Sequence, residues 1–578
     1  MPMHIDRTLI EKDLYKKGLD PSPEIEWLLE SHKNPSEFWE ALHHSQKSFF
    51  PLPRKSVPFK SYDFYHDIFT CNLKNADPAF RWYDSLIGWQ EILYPELGKL
   101  VSRKTSVWIA SGVQPGQKLC IIYPLGLDLV VSLMAAFKVG LVVSLLPILG
   151  SEFLKKRLEI LDPDHIATDE IYYSLLQAWI DRTLTANESS VKNTTDVERS
   201  YAYPSGAVTA LCFDPSSKTP HIPKELTSDA VFLTPMRDGI IPLGLQPGKT
   251  LAAPGLHLLE TQPGLLLACL LNGGTYLHIE PDDISKKPDL LLDRPLRAMG
   301  VTSRVRDILL ENPIEAGKHW DFWFKSPTES QDIIPWQSFI ETLKLKKTVA
   351  GNLKWNASLG GCSLFSLKYV GQTNMNVLPC AGLSWCLTDA SGSNMETVTD
   401  YGVLSVAPLG MEEEITATLN IVAKDRNEWY FIDSQKPNRA GRFYPFSEVL
   451  DSLQNLPFCS YCTIVEVPVS GAGNVSRFVI LVFLGGRTDV DEADISKKIR
   501  YQIKIKMGKE FLPDSIRYFS LYPKRRPDGT IDHDWCRSQY LTGTLFRKSR
   551  QEIFLCLTRL RAYIFSDKHD SLEQTTAT

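Results

Sequence analysis

Between residues 119 and 149 the chain reads LCIIYPLGLDLVVSLMAAFKVGLVVSLLPIL, an apolar stretch interrupted by Pro124, Asp128, Lys138 and Gly140. These interruptions divide it into a short apolar run, a helix-length segment and a second short run, which predicts strand, helix, strand. Parallel strands covered on both faces read as continuous hydrophobic runs, so burial accounts for the apolarity without lipid. The same argument covers residues 251–279. Similar alternation runs from about 80 to 170, from 228 to 310 and from 350 to 435, with a strand expected over SDAVFL at 228–233. Repeated strand–helix alternation predicts parallel sheets with covering helices. After residue 436 the pattern changes to FSEVLDSL as a helix, YCTIVEVPV and RFVILVFLGG as strands, and ISKKIRYQIKIKM as a helix.

The expected fold class is therefore α/β. A large N-terminal domain of mixed, mostly parallel sheets with covering helices precedes a small C-terminal α+β domain. The expected boundaries are an N-terminal extension over 1–75, the large domain over 76–435, the small domain over 436–550, and a C-terminal helix and tail over 551–578. At 578 residues with 43% hydrophobic content, the chain is long enough to bury more than one core.

A net charge of −5 with Lys and Arg interspersed among Asp and Glu leaves no basic footprint, so nucleic acid is not an expected partner. The N-terminus is charged from residue 6 onward and lacks a secretory h-region, which predicts a cytoplasmic protein without a transmembrane segment. The 11 cysteines show no framework spacing; the closest pair, Cys459 and Cys462, lies in an apolar run and reads as small core residues.

Several segments, in order, resemble the adenylate-forming superfamily of acyl-CoA synthetases and AMP-dependent ligases. SGVQPGQKLCIIYPLGLDLVV and its continuation carry Gly112, Pro115, Gly116, Pro124, Gly140 and Pro147 at the family's turn positions. AAPGLH, ending at His257, resembles the Pro-Leu-Phe-His step beside the acyl pocket. NASLGGCSL resembles the Gly-Gly turn of the adenine site, which assigns Gly360 and Gly361 to nucleotide binding. AGRFYPFSEVLDSL and FLPDSIRYFSLYPKRRPDGTIDHDW resemble two segments of the small domain; together these stretches span about residues 80–545.

The resemblance implies activation of a carboxylic acid as its acyl-adenylate, using ATP and Mg²⁺, for transfer to a thiol of coenzyme A or a carrier protein. Such chemistry needs a Ser/Thr/Gly loop whose N–H groups and hydroxyls wrap a triphosphate, with a lysine as point charge. After SDAVFL the chain has TPMRDGIIPLGLQPGK, in which Thr234 and Gly239 are the candidate phosphate contacts. There Asp238 would repel phosphate, and Arg237 or Lys249 would compensate. For the family's aromatic-Gly-x-Thr-Glu motif, WCLTD makes Thr388 and Asp389 the catalytic pair, with Asp389 the magnesium ligand; an offset onto AGLSW would instead put Trp385 at the acidic position. The ribose-binding carboxylate falls on Thr418 in TATLN or on Asp433 in WYFID. The catalytic lysine of the closing motif is replaced by Thr530, with Lys524, Arg525 and Arg526 just upstream. Two readings stay open: a divergent ligase, and a catalytically dead pseudoenzyme of the same fold acting as a binding or regulatory partner.

Overall fold

The computed structural model describes residues 28, 31–45, 50, 52–184, 199–215, 217, 219–329, 333–366, 368–389, 397–398, 400–411, 415–425, 428–434, 438–439, 442–456, 461–468, 476–485 and 491–550. The expected C-terminal helix and tail, and Cys459, lie outside these residues. The chain divides into two compact units, one of Met1–Ile148 with Leu154–Phe443, the other of Leu149–Phe153 with Tyr444–Thr578.

The larger unit opens with helix α1 (Pro35–Ser45). Far from dangling as an extension, it packs Phe38 and Trp39 into the main hydrophobic core, and the Trp39 indole N–H donates to the Gly382 carbonyl at 3.2 Å. Strands β1 (Pro78–Asp84) and β2 (Gly88–Leu93) form a hairpin that leads into α2 (Tyr94–Ala110). Next come β3 (Lys118–Ile122), α3 (Leu127–Val139) and β4 (Val142–Leu145), the strand, helix and strand read from the sequence. Gly140 closes α3 in the left-handed conformation, φ 96°, a geometry that favours glycine. Strands β5 (His165–Thr168), β6 (Val208–Cys212) and β7 (Lys224–Thr227) complete a six-stranded sheet in the order β7-β6-β4-β3-β5, with Thr183–Leu184 at the far edge.

Helix α4 (Ser228–Ile240) follows, where a strand was expected over SDAVFL. The helix starts because Thr227 caps it, its hydroxyl accepting from the Ala230 N–H at 3.2 Å. All its residues are buried, so it shows no amphipathic stripe and its apolar run imitates a buried strand.

The second sheet is built from β8 (Thr250–Ala252), β9 (Thr275–His278), β10 (Ala298–Gly300), β11 (Phe322–Lys325), β12 (Val349–Asn356), β13 (Gly361–Phe365) and β14 (Leu378–Pro379), joined to β1 and β2. Its order is β14-β13-β12-β11-β10-β8-β9-β1-β2, parallel from β12 through β1. Helices α5 (Leu258–Thr261), α6 (Gly264–Leu270), α7 (Ser303–Glu311) and α8 (Ile333–Thr342) connect these strands. A third sheet holds β15 (Trp385–Thr388), β16 (Tyr401–Val406), β17 (Thr416–Asp425) and β18 (Glu428–Ser434), antiparallel in that order, with Thr397–Val398 beyond β15.

The smaller unit has β19 (Cys462–Pro468), β20 (Ser476–Phe483) and β21 (Ser515–Phe519) in one sheet, with helices α9 (Glu492–Lys506) and α10 (His533–Leu541). Its core gathers Val465, Val479, Leu481, Phe483 and Phe519. Among the described residues, no helix is long and apolar enough to cross a membrane.

Candidate nucleotide and acyl site

In an open α/β sheet, ligands bind outside the carboxyl ends of the parallel strands. Past the end of β12, three of the sequence-nominated residues, Thr234, Gly360 and Gly361, come together, with Gly239 packed on Asn272. Thr234 and Gly239 lie on α4, while Gly360 and Gly361 form the turn between β12 and β13, and the two segments are in direct contact. A Cβ on Gly361 would fall 2.3 Å from Asp238 Oδ2 and 2.6 Å from Thr234 Cγ2; one on Gly239 would fall 2.1 Å from Asn272 Nδ2. The four residues are therefore packed interior. Thr234 points its hydroxyl into this buried layer, where it finds no hydrogen-bond partner.

The charges beside them are engaged internally. Arg237 donates from Nε and Nη2 to Asp238 Oδ1 at 2.8 and 2.6 Å, from Nη2 to the Cys362 carbonyl at 2.7 Å, and from Nη1 to the Ala381 carbonyl at 3.1 Å. Asp238 in turn accepts from the Cys362 N–H at 2.7 Å. Burial pushes the Asp238 carboxyl up, against the opposing pull of Arg237 and the Cys362 N–H. Asp238, expected to face phosphate, instead anchors the start of β13, and Arg237 is fixed beside it.

Thr388 ends β15 of the third sheet, and Asp389 follows it. Thr388 pairs in register with Val403, donates to its carbonyl at 3.3 Å and shares a 3.0 Å hydrogen bond with Ser405 Oγ. Asp433 is exposed on β18, three strand positions from β15, which at about 4.8 Å per strand is roughly 14 Å away. Thr418, on β17, donates to the Leu404 carbonyl at 2.8 Å. The offset alternative places Trp385 against His32 and Trp429. Thr388 and Asp433 thus take their places through the strand pairing of the third sheet, apart in the chain from the Gly360–Gly361 turn.

A second hydroxyl-bearing loop occurs earlier in the chain. The hairpin between β6 and β7 reads FDPSSKTPHIPKE, which sets Ser217, Thr219 and Lys224 in one loop, without glycine. Ser217 Oγ accepts from the Thr219 N–H at 3.0 Å and the Ile222 N–H reaches the Thr219 carbonyl at 3.0 Å, so part of the loop is a local turn. The Ser/Thr residues before Pro223-Lys224 are the available signal.

His257 sits at the carboxyl end of β8, where its carbonyl accepts from the Glu260 N–H and Thr261 N–H of the short helix α5. That helix brings Glu260 to 3.9 Å from Lys354 Nζ on β12, both side chains largely buried. On the neighbouring strand, Lys325 is fully buried against Trp336, its ammonium 5.6 Å from the ring centroid and 3.8 Å from Met375 Sδ. Burial pushes Lys325 down to about 8, with Glu329 opposing and Arg306 adding to the effect. Glu329 also accepts from the N–H and hydroxyl of Ser303 at 2.8 and 2.6 Å.

In the smaller unit, Thr530 donates through N–H and hydroxyl to Asp528 Oδ1 at 2.9 and 2.6 Å. Lys524 faces Asp532 at 3.4 Å, Arg526 faces Asp534 at 3.0 Å, and Arg525 donates to the Gly529 carbonyl at 2.6 Å. The three upstream cations are thus tied within their own turn.

The parallel strands, the antiparallel third sheet and the small three-stranded unit make up a fold that two solved structures share: o-succinylbenzoate CoA synthetase (MenE) of Bacillus subtilis, a double mutant bound with its product analogue OSB-NCoA, and the amide bond synthetase McbA of Marinactinospora thermotolerans. MenE superposes with a TM-score of 0.65 at 13% identity, covering 83% of this chain and 99% of that one. McbA gives 0.61 at 12% identity, with the same two coverages. No protein-family model matches the sequence, and no curated protein does. At such identities the likeness is one of fold.

The donor set does not suit a magnesium-bound triphosphate. Thr234, Gly360 and Gly361 are packed inside, and Lys354 on β12 already faces Glu260.

Proposed function

We propose that this chain is a binding or regulatory protein built on the adenylate-forming fold, without ATP-dependent ligase chemistry. The observation that carries the reading is charge matching at the carboxyl ends of β11 and β12, where Lys354 faces Glu260 and Lys325 is offset by Glu329. A triphosphate needs surplus positive charge, and matched pairs supply none. The replacement of the catalytic lysine by Thr530 supports the same reading, since losing one such positioned group costs about 10²–10³ in rate. The fold's association with acids and thioesters makes a small carboxylic acid, or the thiol of coenzyme A or an acyl carrier protein, the class of partner to try.

The competing reading, a divergent acid–thiol ligase, is favoured by one feature: the β6–β7 hairpin keeps Ser217, Thr219 and Lys224 in phosphate-loop order. Calorimetric titration of the full chain with ATP and Mg²⁺ separates the two. The proposal expects no binding heat. Micromolar affinity accompanied by carboxylate-dependent ATP–pyrophosphate exchange would overturn it.

A further inference from the structure

Outside the candidate site, an unusual helical turn gathers three side chains of metal-binding type. Residues His66–Thr70 form a π-helical turn, closed by the Cys71 N–H donating to the His66 carbonyl at 3.0 Å. A π turn stacks residue i over residue i+5, a relationship an α-helix does not provide, and such turns recur at functional sites. Here it brings His66 and Cys71 to one face. His66 Nε2 lies 3.3 Å from the Pro53 carbonyl oxygen and Cys71 Sγ lies 3.8 Å from the same oxygen, so nitrogen and sulfur flank a single point. Asp67 completes the group. Among the described residues, the ligand atoms of His66, Asp67 and Cys71 all lie within 4.8 Å of one another.

We propose that His66, Asp67 and Cys71 form a binding site for a divalent transition-metal cation of the zinc class. Thiolate and imidazole donors select such an ion over magnesium or calcium, which take oxygen ligands. Tetrahedral Zn–N and Zn–S bonds of about 2.0 and 2.3 Å set ligand atoms roughly 3.3–3.8 Å apart, so modest side-chain rotation closes the cluster. Asp67 is pre-oriented, since its two oxygens accept from the Lys55 and Ser56 N–H groups at 2.8 and 3.2 Å and the Ser56 hydroxyl also bonds the carboxylate, which leaves one of a carboxylate's roughly four acceptor sites. Asp67 and Cys71 are buried while His66 is half-buried, which leaves an approach from the His66 side. On binding, a metal–sulfur bond replaces the S–H bond and the thiol proton leaves to solvent. The imidazole proton takes Nδ1, freeing Nε2. Arg54 beside Asp67 and Cys71 opposes the incoming charge, whereas Asp63, which accepts from the His66 N–H at 2.9 Å, favours it.

The test is cobalt titration of the full, chelator-treated chain, followed by absorption. One equivalent of Co²⁺ is expected to give a thiolate-to-cobalt charge-transfer band with tetrahedral d–d bands, both bleached by Zn²⁺. Cys71→Ala should abolish the charge-transfer band, and His66→Gln should weaken affinity about tenfold or more. No thiolate band in the natural chain, or a band unchanged in Cys71→Ala, overturns the proposal. Should Cys71→Ala fail to fold by circular dichroism, the half-buried His66→Gln decides, and an unaltered titration there has the same meaning. Nucleotide plays no part in the readout, so the result is independent of the ligase question.

Discussion

The carboxylate of Asp238 accepts a hydrogen bond from the backbone N–H of Cys362 at 2.7 Å, across 124 positions of sequence. With Arg237 donating to the Cys362 carbonyl at 2.7 Å, one adjacent acid–base pair holds both polar groups of a single residue. The pair is 0–1% exposed. Removing one member strands the other charge in the interior, so Asp238→Ala should lower the unfolding free energy by about 3–5 kcal/mol. Replacing both, as Arg237→Met with Asp238→Leu, should cost less than the single change. Urea denaturation of the two variants measures the difference.

Gly361 is fixed by space. Alanine there would press on Asp238 and Thr234, and should destabilise the chain by about 1–3 kcal/mol. At Gly126, the N-cap of α3, extended at φ 179° and with its nearest neighbour 3.9 Å from an added Cβ, alanine meets no clash and should cost only the poorer cap, about 0.5–1 kcal/mol. Thermal melts of both variants provide the comparison.

Lys325 should make stability depend on pH in the alkaline range. Burial sets its folded value at about 8, below the unfolded value of about 10.4. Between those values the unfolded chain binds more protons, so this group's contribution to stability rises with pH across the window and is flat below it. The rise amounts to as much as about 3 kcal/mol. Lys325→Met should remove that part of the slope, which denaturation of both proteins at the two ends of the window reveals by difference.

Thr530→Lys restores the type of charge found at that position in ligases. Because Lys354 at the end of β12 already faces Glu260, ATP–pyrophosphate exchange should stay at background with any carboxylic acid added. Exchange above background would show that the remaining site is competent.

The architecture was readable where burial is two-sided and the breakers are sharp. β3, α3 and β4 announced themselves through Pro124, Asp128 and Gly140, and the small unit through alternating strands and a charged helix. α4 was not readable as a helix, because a helix covered on every side has no polar stripe, and Pro235 lies inside it. The site was less legible for a different reason. Short motifs such as WCLTD recur by chance, and only sheet pairing shows that Thr388 hydrogen-bonds Ser405. The Ser217–Lys224 hairpin escapes a reading by residue type, because it is defined by β6 and β7 pairing antiparallel on either side.

The contact between Trp39 and Gly382 also has a temporal meaning. Its partners are 343 positions apart. At about 5–20 residues per second, a ribosome needs roughly 17–70 s to make the second after the first. During that interval the face of α1 carrying Phe38 and Trp39 lacks the backbone it will cover, so the nascent chain presents an aromatic surface to chaperones and proteases well before its release.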